Sequence, residues 1–186
     1  MGFYDDKETA LQYIAMAEGY DGRELIDVLR KHLPEGSTVL ELGMGPGVDL
    51  GILEDHFCVT GSDISQFFLD RYRENHAGAD LMRLDAVNLE TDRVFDCIYS
   101  NKVLHHLENE QLANSLCRQK EILTGPGVVF HSFWRGQGTE EHHGLRFVYQ
   151  DEDSIKAIFG ATFSQVDVVS YTEMEIDDSL YVIARG

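Results

Sequence analysis

The sequence TVLELGMGPGVDL, residues 38–50, joins a short apolar run to three glycines spaced two residues apart. The apolar run predicts a buried strand, and the residues after the glycines return to a helical pattern. Gly43, Gly45 and Gly47 leave the connecting loop without side chains, so that a ligand can contact its backbone. The segment therefore predicts a strand, a ligand-binding loop and a helix.

Strands and helices alternate through the rest of the chain. Apolar runs predict further strands that end near Asp63, Asp85, Asn101 and Trp134, with helical spacing between them. Two closing strands within 163–186 predict an antiparallel β-hairpin. This alternation indicates an α/β fold with a Rossmann-like, doubly wound and mostly parallel sheet, whose ligands bind at the carboxyl ends of the strands.

The composition excludes several classes of protein. A chain of 186 residues, 43% of them apolar, can form one domain with a full core. No apolar run approaches the roughly 18 residues of a membrane span, and the acidic N-terminus does not resemble a secretory signal. The net charge of −18 would repel nucleic acids. Three scattered cysteines fit a reducing compartment, so we expect a cytoplasmic protein without a nucleic-acid or membrane partner.

Two common ligands of glycine-rich loops fit this loop poorly. A loop that binds nucleoside triphosphates needs Lys and Ser or Thr after its last glycine, but Val48 and Asp49 follow here. A dinucleotide fingerprint, G-x-G-x-x-G, would have its third glycine at Val48. Asp63 follows the first glycine by 20 residues, a spacing typical of an acid that binds an adenosine ribose. These residues leave a dinucleotide and another adenosine ligand open.

Five motifs, in order, resemble those of the class I S-adenosylmethionine-dependent methyltransferases. The glycine loop of that family, E/D-x-G-x-G-x-G, matches ELGMGPG at 41–47, and its two adenosine-binding acids correspond to Asp63 and Asp85. Its fourth-strand motif matches FDCIYSNKVLHHL at 95–107. Its fifth-strand motif matches ILTGPGVVFHSF at 122–133, with proline in place of the first of two glycines, and TGPG within it predicts a turn before the strand. The closing hairpin also resembles the family's, which implies a seven-stranded sheet.

The resemblance implies S-adenosyl-L-methionine as the cofactor. In this family Asp63 would accept hydrogen bonds from the ribose and Asp85 one from the adenine amine, while Ile64 would pack on the base. The predicted cofactor-binding residues are Glu41, Gly43, Met44, Gly45, Gly47, Asp63, Ile64, Asp85, Ala86, Ser100 and Asn101. The plainer alternatives are that Asp63 caps a helix and that Asp85 is a surface acid.

Residues 1–186 are predicted as a single methyltransferase domain. Residues 37–186 would form the S-adenosylmethionine-binding core, and N-terminal helices within 1–33 would form part of the substrate cover. His105 and His106, predicted to begin the helix after the fourth strand, are candidate catalytic bases because His titrates near neutral pH. A core or capping role is the alternative. Adjacent helical residues point about 100° apart, so at most one would face the methyl group.

We expect a small-molecule acceptor. The segment 133–150 departs from the regular alternation and follows the carboxyl end of the fifth strand. Its two arginines could bind an anionic group of the acceptor, or they could pair with surface acids. The predicted substrate-binding residues are Tyr20, Trp134, Arg135, Arg146 and Tyr149.

Other functions stay open at this stage. The protein could methylate nucleic acid or protein, or it could bind S-adenosylmethionine without transferring a methyl group. No metal site is expected, because the histidines near Glu140 and Glu141 lack the spacing of a metal site. These histidines are His131, His142 and His143. The oligomeric state is not predicted.

Overall fold

A computed structural model describes residues 7–16, 19–142 and 144–186, and only the backbone of Met16. The helices are α1 Lys7–Met16, α2 Arg23–Leu29, α3 Val48–Glu54, α4 Gln66–Asn75, α5 Asn109–Glu121 and α6 Glu152–Gly160. The strands are β1 Thr38–Leu42, β2 Cys58–Asp63, β3 Leu81–Arg83, β4 Phe95–Asn101, β5 Leu123–Trp134, β6 Thr139–His142, β7 Leu145–Val148, β8 Gln165–Tyr171 and β9 Ser179–Arg185. Within the described ranges, every helix is too short or too polar to cross a lipid bilayer.

Seven strands form one sheet in the order β3-β2-β1-β4-β5-β9-β8. β1 to β5 pair in parallel, whereas β9 runs antiparallel to both β5 and β8. The predicted Rossmann-like sheet with a C-terminal antiparallel hairpin is therefore confirmed. Because the strands β1 to β5 are parallel, their carboxyl ends meet along one edge of the sheet.

Alternate residues of the central strands pack on opposite faces of the sheet. Leu40 and Ile98 belong to a buried cluster that α5 and α6 cover. Val39 and Tyr99 belong to a second cluster, which α2 covers with Ile26 and neighbouring leucines. Both faces are therefore apolar, which explains why β1 and β4 read as continuous apolar runs in the sequence.

Two local predictions around β4 and β5 were wrong. The helix after β4 does not begin at His105: Leu104–His106 form a separate 3-10 turn, and α5 begins at Asn109, where Glu108 and Gln111 form a capping box. The predicted turn TGPG lies within β5, whose register against β4 shifts at this point. Such a bulge accommodates the extra residues without ending the strand.

The segment between β5 and α6 contains a hairpin that the sequence did not reveal. β6 and β7 pair antiparallel as a separate two-stranded sheet. β6 carries no apolar residue and is exposed along its length, so no alternating pattern marks it. The hairpin contacts the 3-10 turn after β4 and thereby reaches the carboxyl edge of the main sheet.

The glycine loop has a backbone that other residues adopt with strain. Gly47 stands at the N-cap of α3 with φ of 84°, and a Cβ atom there would overlap the ring of Tyr72. Tyr72 is buried and stacks on His76 with 4.0 Å between ring centroids. Gly51, one turn into α3, is exposed and has open space around it.

Gly47→Ala should therefore lower the free energy of unfolding by roughly 2–4 kcal/mol, because it adds backbone strain and a steric overlap. The matched control, Gly51→Ala, should raise it by about 0.5–1 kcal/mol, since Ala is the better helix former. Urea denaturation followed by circular dichroism measures both values. Equal effects of the two variants would contradict this account of the loop.

Candidate functional site

A cavity of about 290 Å³ opens at the carboxyl ends of β1, β4 and β5. This is the edge at which parallel α/β sheets bind ligands. Its lining comes from the strand ends, the glycine loop, α1, the β6–β7 hairpin and the loop between β8 and β9: Tyr13, Tyr20, Asp21, Glu41, Gly43, Met44, Pro46, Val48, Asp49, Asn101, Lys102, His105, His106, Trp134, Leu145, Phe147, Glu173 and Met174.

Glu41 is a buried acid at the end of β1 whose carboxylate is incompletely hydrogen bonded. Among the described residues, no donor reaches its Oε2 atom. Burial raises the pKa of Glu41 well above its ordinary value, and the nearby carboxylates of Asp49 and Asp63 raise it further. A buried acceptor without a partner is rare in native proteins. Glu41 therefore combines an oxygen without a partner among the described residues with a place in the cavity wall.

Asp49, in the first turn of α3, is a buried acid that is fully engaged. Its carboxylate accepts hydrogen bonds from the backbone N–H of Gly22 at 2.7 Å, from Tyr99 Oη at 2.9 Å and from Asn101 Nδ2 at 3.1 Å. Sequence reasoning did not include Asp49 among the site residues. The available signal was an acid directly after the glycine loop, in a helix whose neighbouring positions are apolar.

Asp63 holds the glycine loop from the end of β2. Its two oxygens accept hydrogen bonds from the N–H groups of Gly45, at 2.9 Å, and Ser65, at 2.8 Å. Burial raises its pKa, although these hydrogen bonds oppose the shift. Ser65 lies at the N-cap of α4, without a side-chain capping bond.

The residues predicted for the adenosine lie along the same edge but outside the cavity lining. Ile64 and Asp85 are exposed after β2 and β3, and Asp85 Oδ1 accepts a hydrogen bond from Val87 N–H at 2.8 Å. Ala86 is half-buried beside Asp85. Of the predicted cofactor residues, the cavity lining includes Glu41, Gly43, Met44 and Asn101.

Ser100 belongs to a buried hydrogen-bond chain rather than to the cavity. Its Oγ lies 2.8 Å from His131 Nδ1, and His131 Nε2 lies 2.8 Å from Gln119 Oε1. Because an amide oxygen only accepts, Nε2 of His131 carries the proton and Nδ1 accepts from Ser100. Gln119 donates in turn to Ser115, which donates to the Ala86 carbonyl. Burial lowers the pKa of His131 to about 3, so this imidazole is neutral.

His105 and His106 both line the cavity, but their environments differ. His105 is buried and stacks on Phe147, and neither of its ring nitrogens has a partner within the described chain. Burial lowers its pKa well below 6.5. His106 Nδ1 lies 2.6 Å from the Arg146 carbonyl oxygen, to which it must donate. Its Nε2 therefore keeps a lone pair, and burial lowers its pKa.

Lys102 is a site residue that sequence reasoning missed. Its Nζ donates to the Phe133 carbonyl at 2.9 Å and to Ser179 Oγ at 2.7 Å, and it pairs with Glu173 Oε2 at 3.1 Å. It also lies 3.7 Å from the centroid of the Trp134 ring. Burial lowers its pKa to about 8. Its backbone φ angle of 53° is unusual for a residue other than glycine, but the sequence does not show it.

The predicted substrate residues divide into two groups. Tyr20 and Trp134 line the cavity, whereas Arg135, Arg146 and Tyr149 do not. Their polar contacts lie elsewhere: Arg135 pairs with Glu152 at 2.9 Å, Arg146 pairs with Glu108, and Tyr149 donates to Glu140 at 3.1 Å. The two arginines thus pair with surface acids, which was the alternative reading of the sequence.

Metal-ligating residues do not gather in the part of the chain that the structure describes. No group of three or more His, Cys, Asp or Glu side chains there is arranged to bind an ion. His142 pairs with Glu140 at 2.8 Å, and His131 belongs to the buried chain described above. His143 lies outside the described residues.

Comparisons with known proteins agree on the fold. Two solved structures superpose on nearly the whole chain. CalS10, an amino pentose methyltransferase from Micromonospora echinaspora, has a TM-score of 0.74 at 15% identity, over 95% of this chain and 96% of that one. An S-adenosylmethionine-dependent methyltransferase from Clostridium acetobutylicum has a TM-score of 0.75 at 14% identity, over 97% and 98%.

Sequence comparisons match about half of the chain. A curated relative, the tRNA (carboxymethyluridine(34)-5-O)-methyltransferase of Arabidopsis thaliana, is 32% identical over 107 residues, or 56% of this chain. The match spans only 26% of that relative. Residues 39–127 match the family model described as a methyltransferase domain. This match and the fold support the resemblance of the chain to class I S-adenosylmethionine-dependent methyltransferases.

Proposed function

We propose that the protein is an S-adenosylmethionine-dependent methyltransferase that acts on a small molecule. The observation that carries the proposal is that one cavity combines three features. Its wall includes the glycine loop, Glu41 with its unpartnered Oε2 atom, and His106, whose ring is oriented by a hydrogen bond. When bound, S-adenosylmethionine supplies a methyl group on a positively charged sulfur, which passes to the acceptor as S-adenosylhomocysteine leaves.

The residues around the glycine loop fit the charges of this cofactor. It carries an ammonium, a sulfonium and a carboxylate but no phosphate, so acids suit its cationic groups and the loop needs no basic residue for a phosphate. Glu41 Oε2 offers a free acceptor for the ammonium, and Asp49 adds negative charge close by. Asp63 and Asp85 stand at the neighbouring strand ends, where they can accept hydrogen bonds from ribose and adenine.

His106 is the better candidate for a general base. Its Nδ1–H bond to the Arg146 carbonyl fixes the ring and its tautomer, so that the lone pair of Nε2 is available in the cavity. The stronger desolvation of His105 opposes a charged form of that ring. We therefore assign His106 to proton removal from the acceptor and His105 to contact with it.

The N-terminal segment and the β6–β7 hairpin supply the cover of the acceptor. Tyr13 of α1 and Tyr20 line the cavity from one side, and Leu145 and Phe147 of β7 line it from another. Closure by these side chains would exclude water and align the acceptor, which is most of what methyl transfer requires of a protein. This supports the division into a cover within 1–33 and a core over 37–186.

A small molecule is the acceptor class that the charge favours. The Arabidopsis relative is named for tRNA, but the net charge of −18 opposes binding of a polyanion. A tRNA titration at low salt separates the two acceptors, and protein methylation or binding without transfer would show as no turnover with small molecules. An anionic acceptor held by Arg135 or Arg146 stays a prediction, without a contact in the cavity to support it.

The free Cys58, Cys97 and Cys117 support a cytoplasmic location.

Calorimetry should detect binding of S-adenosylhomocysteine and none of NAD. Asp63→Ala should weaken that binding by roughly 1–3 kcal/mol, because charge-assisted hydrogen bonds are lost. Asp70→Ala, which removes an exposed acid from α4, is the matched control and should leave the affinity unchanged. Tight NAD binding without a response to S-adenosylhomocysteine would falsify the proposal.

Glu41→Gln should change how stability depends on pH. Because burial raises the pKa of Glu41, the native state keeps this proton above the ordinary value of 4.5. The free energy of unfolding of the wild type therefore falls by about 1.4 kcal/mol per pH unit between pH 4.5 and the native pKa of Glu41. Glu41→Gln has no such proton to lose, so its stability relative to the wild type should increase across this pH range, as urea titrations at several pH values would measure. Glu110→Gln, on an exposed face of α5, should not alter the slope; parallel curves for Glu41→Gln would contradict the assignment.

His106→Ala should lower kcat by about 10²–10⁴ without a change in S-adenosylhomocysteine affinity. The lowered pKa of His106 places the acid limb of wild-type kcat/KM below pH 6.5, since the base must be unprotonated to act. His142→Ala, outside the cavity, is the control. The readout is S-adenosylhomocysteine release with an acceptor found by screening a metabolite pool. A variant that keeps nearly full activity would mean that alignment alone carries the reaction.

A further inference from the structure

The cavity wall contains one lysine, and its charge is already used. Of the described lining residues, Lys102 is the only lysine or arginine. Its three N–H groups face three partners: the Phe133 carbonyl, Ser179 and Glu173. An anionic acceptor would therefore enter a cavity in which no cation remains to neutralise it, and the net charge of the protein would repel it.

Residues that line the same cavity carry hydrogen-bond acceptors with spare capacity. The Oε2 atom of Glu173 accepts from Tyr171 and Ser179 and pairs with Lys102, and these contacts within the described chain all fall on that one oxygen. His105 is 2% exposed and has two nitrogens without partners in the described chain. His106 adds the lone pair of Nε2. Glu173, His105 and His106 thus offer three acceptors, whereas an ammonium group offers three donors.

The remaining wall suits a compact apolar body. Trp134, Phe147, Leu145 and Met174 line the cavity, and aromatic faces attract cations. The ring of Trp134 already makes such a contact with Lys102, whose Nζ lies 3.7 Å from the centroid of the Trp134 ring. The acceptor side of the cavity therefore combines aromatic surface, a carboxylate and neutral imidazoles.

We propose that the acceptor is an amine on a compact apolar body, bound as an ammonium through Glu173 and His105. This rests on the proposed methyltransferase function and names its substrate class. His106 Nε2 takes one proton from the ammonium, which frees the nitrogen lone pair. That lone pair bonds to the methyl carbon while the carbon–sulfur electrons stay on sulfur. The products are an N-methylated ammonium, S-adenosylhomocysteine and a proton that His106 returns to water.

The single tryptophan of the chain allows a direct binding test. Because Trp134 lines the cavity, its fluorescence reports occupancy without any turnover. Benzylamine, benzyl alcohol and benzoate serve as probes of similar shape and different charge, added to protein saturated with S-adenosylhomocysteine. We expect a saturable response to benzylamine, at least about tenfold weaker binding of the alcohol, and no response to benzoate. Benzoate binding as tight as that of benzylamine, or no saturable response to benzylamine, would overturn the proposal.

Variants separate charge recognition from a general disturbance of the wall. Glu173→Gln should weaken benzylamine at least about tenfold while leaving benzyl alcohol and S-adenosylhomocysteine unchanged. Glu175→Gln, an exposed acid in the same loop, is the matched control. Equal weakening of benzylamine and benzyl alcohol by Glu173→Gln would reduce Glu173 to a structural role and refute the assignment. If the wild type does not bind S-adenosylhomocysteine, the methyltransferase proposal fails instead, and titration of the free protein shows whether the amine site exists without it.

Discussion

The hydrogen bonds of Asp49 hold together three parts of the chain that build the cavity. One carboxylate accepts from Gly22 before α2, from Tyr99 within β4 and from Asn101 at the end of β4. A buried charge is costly unless donors surround it. The hydrogen bonds of Asp49 therefore hold α3, β4 and the segment before α2 in one arrangement. Gly22 must be glycine for a steric reason, since a Cβ atom there would overlap both Asp49 and the Tyr99 hydroxyl.

This arrangement explains how a regular sheet supports an irregular site. Asn101 donates to Asp49 and accepts from Ser132 of β5, while Ser132 also accepts from the Lys102 N–H at 2.9 Å. The ends of β4 and β5 are therefore fixed to each other and to the helix after the glycine loop. Lys102 extends the connection to the loop between β8 and β9 through Glu173. The glycine-loop side of the cavity and the side near Lys102 thus share one hydrogen-bonded frame.

The sequence predicted those features that local patterns encode. Apolar runs located β1, β2, β4 and β5, and the glycine spacing located the ligand loop, because burial on both faces of a parallel sheet leaves a strong signal. The β6–β7 hairpin left none, since its side chains are mostly exposed. Lys102 and Asp49 could not be assigned either, because their roles depend on partners 27 to 77 residues away. His105 and His106, the predicted catalytic bases, both line the cavity, but only coordinates show that His106 is oriented by a hydrogen bond and that the ring nitrogens of His105 lack partners in the described chain.

The contrast between satisfied and unsatisfied polar groups separates structural from functional residues in this cavity. Asp49 is buried and Lys102 is half-buried; each has three partners, and both connect the frame. Glu41 and His105 are buried yet have atoms without partners in the described chain. Each such atom costs about 1–3 kcal/mol in the free protein, which a ligand group of matching polarity would recover. One such atom belongs to Glu41 beside the glycine loop and two belong to His105 beside β7, so ligand groups at two places in the cavity would satisfy them, as two bound molecules would.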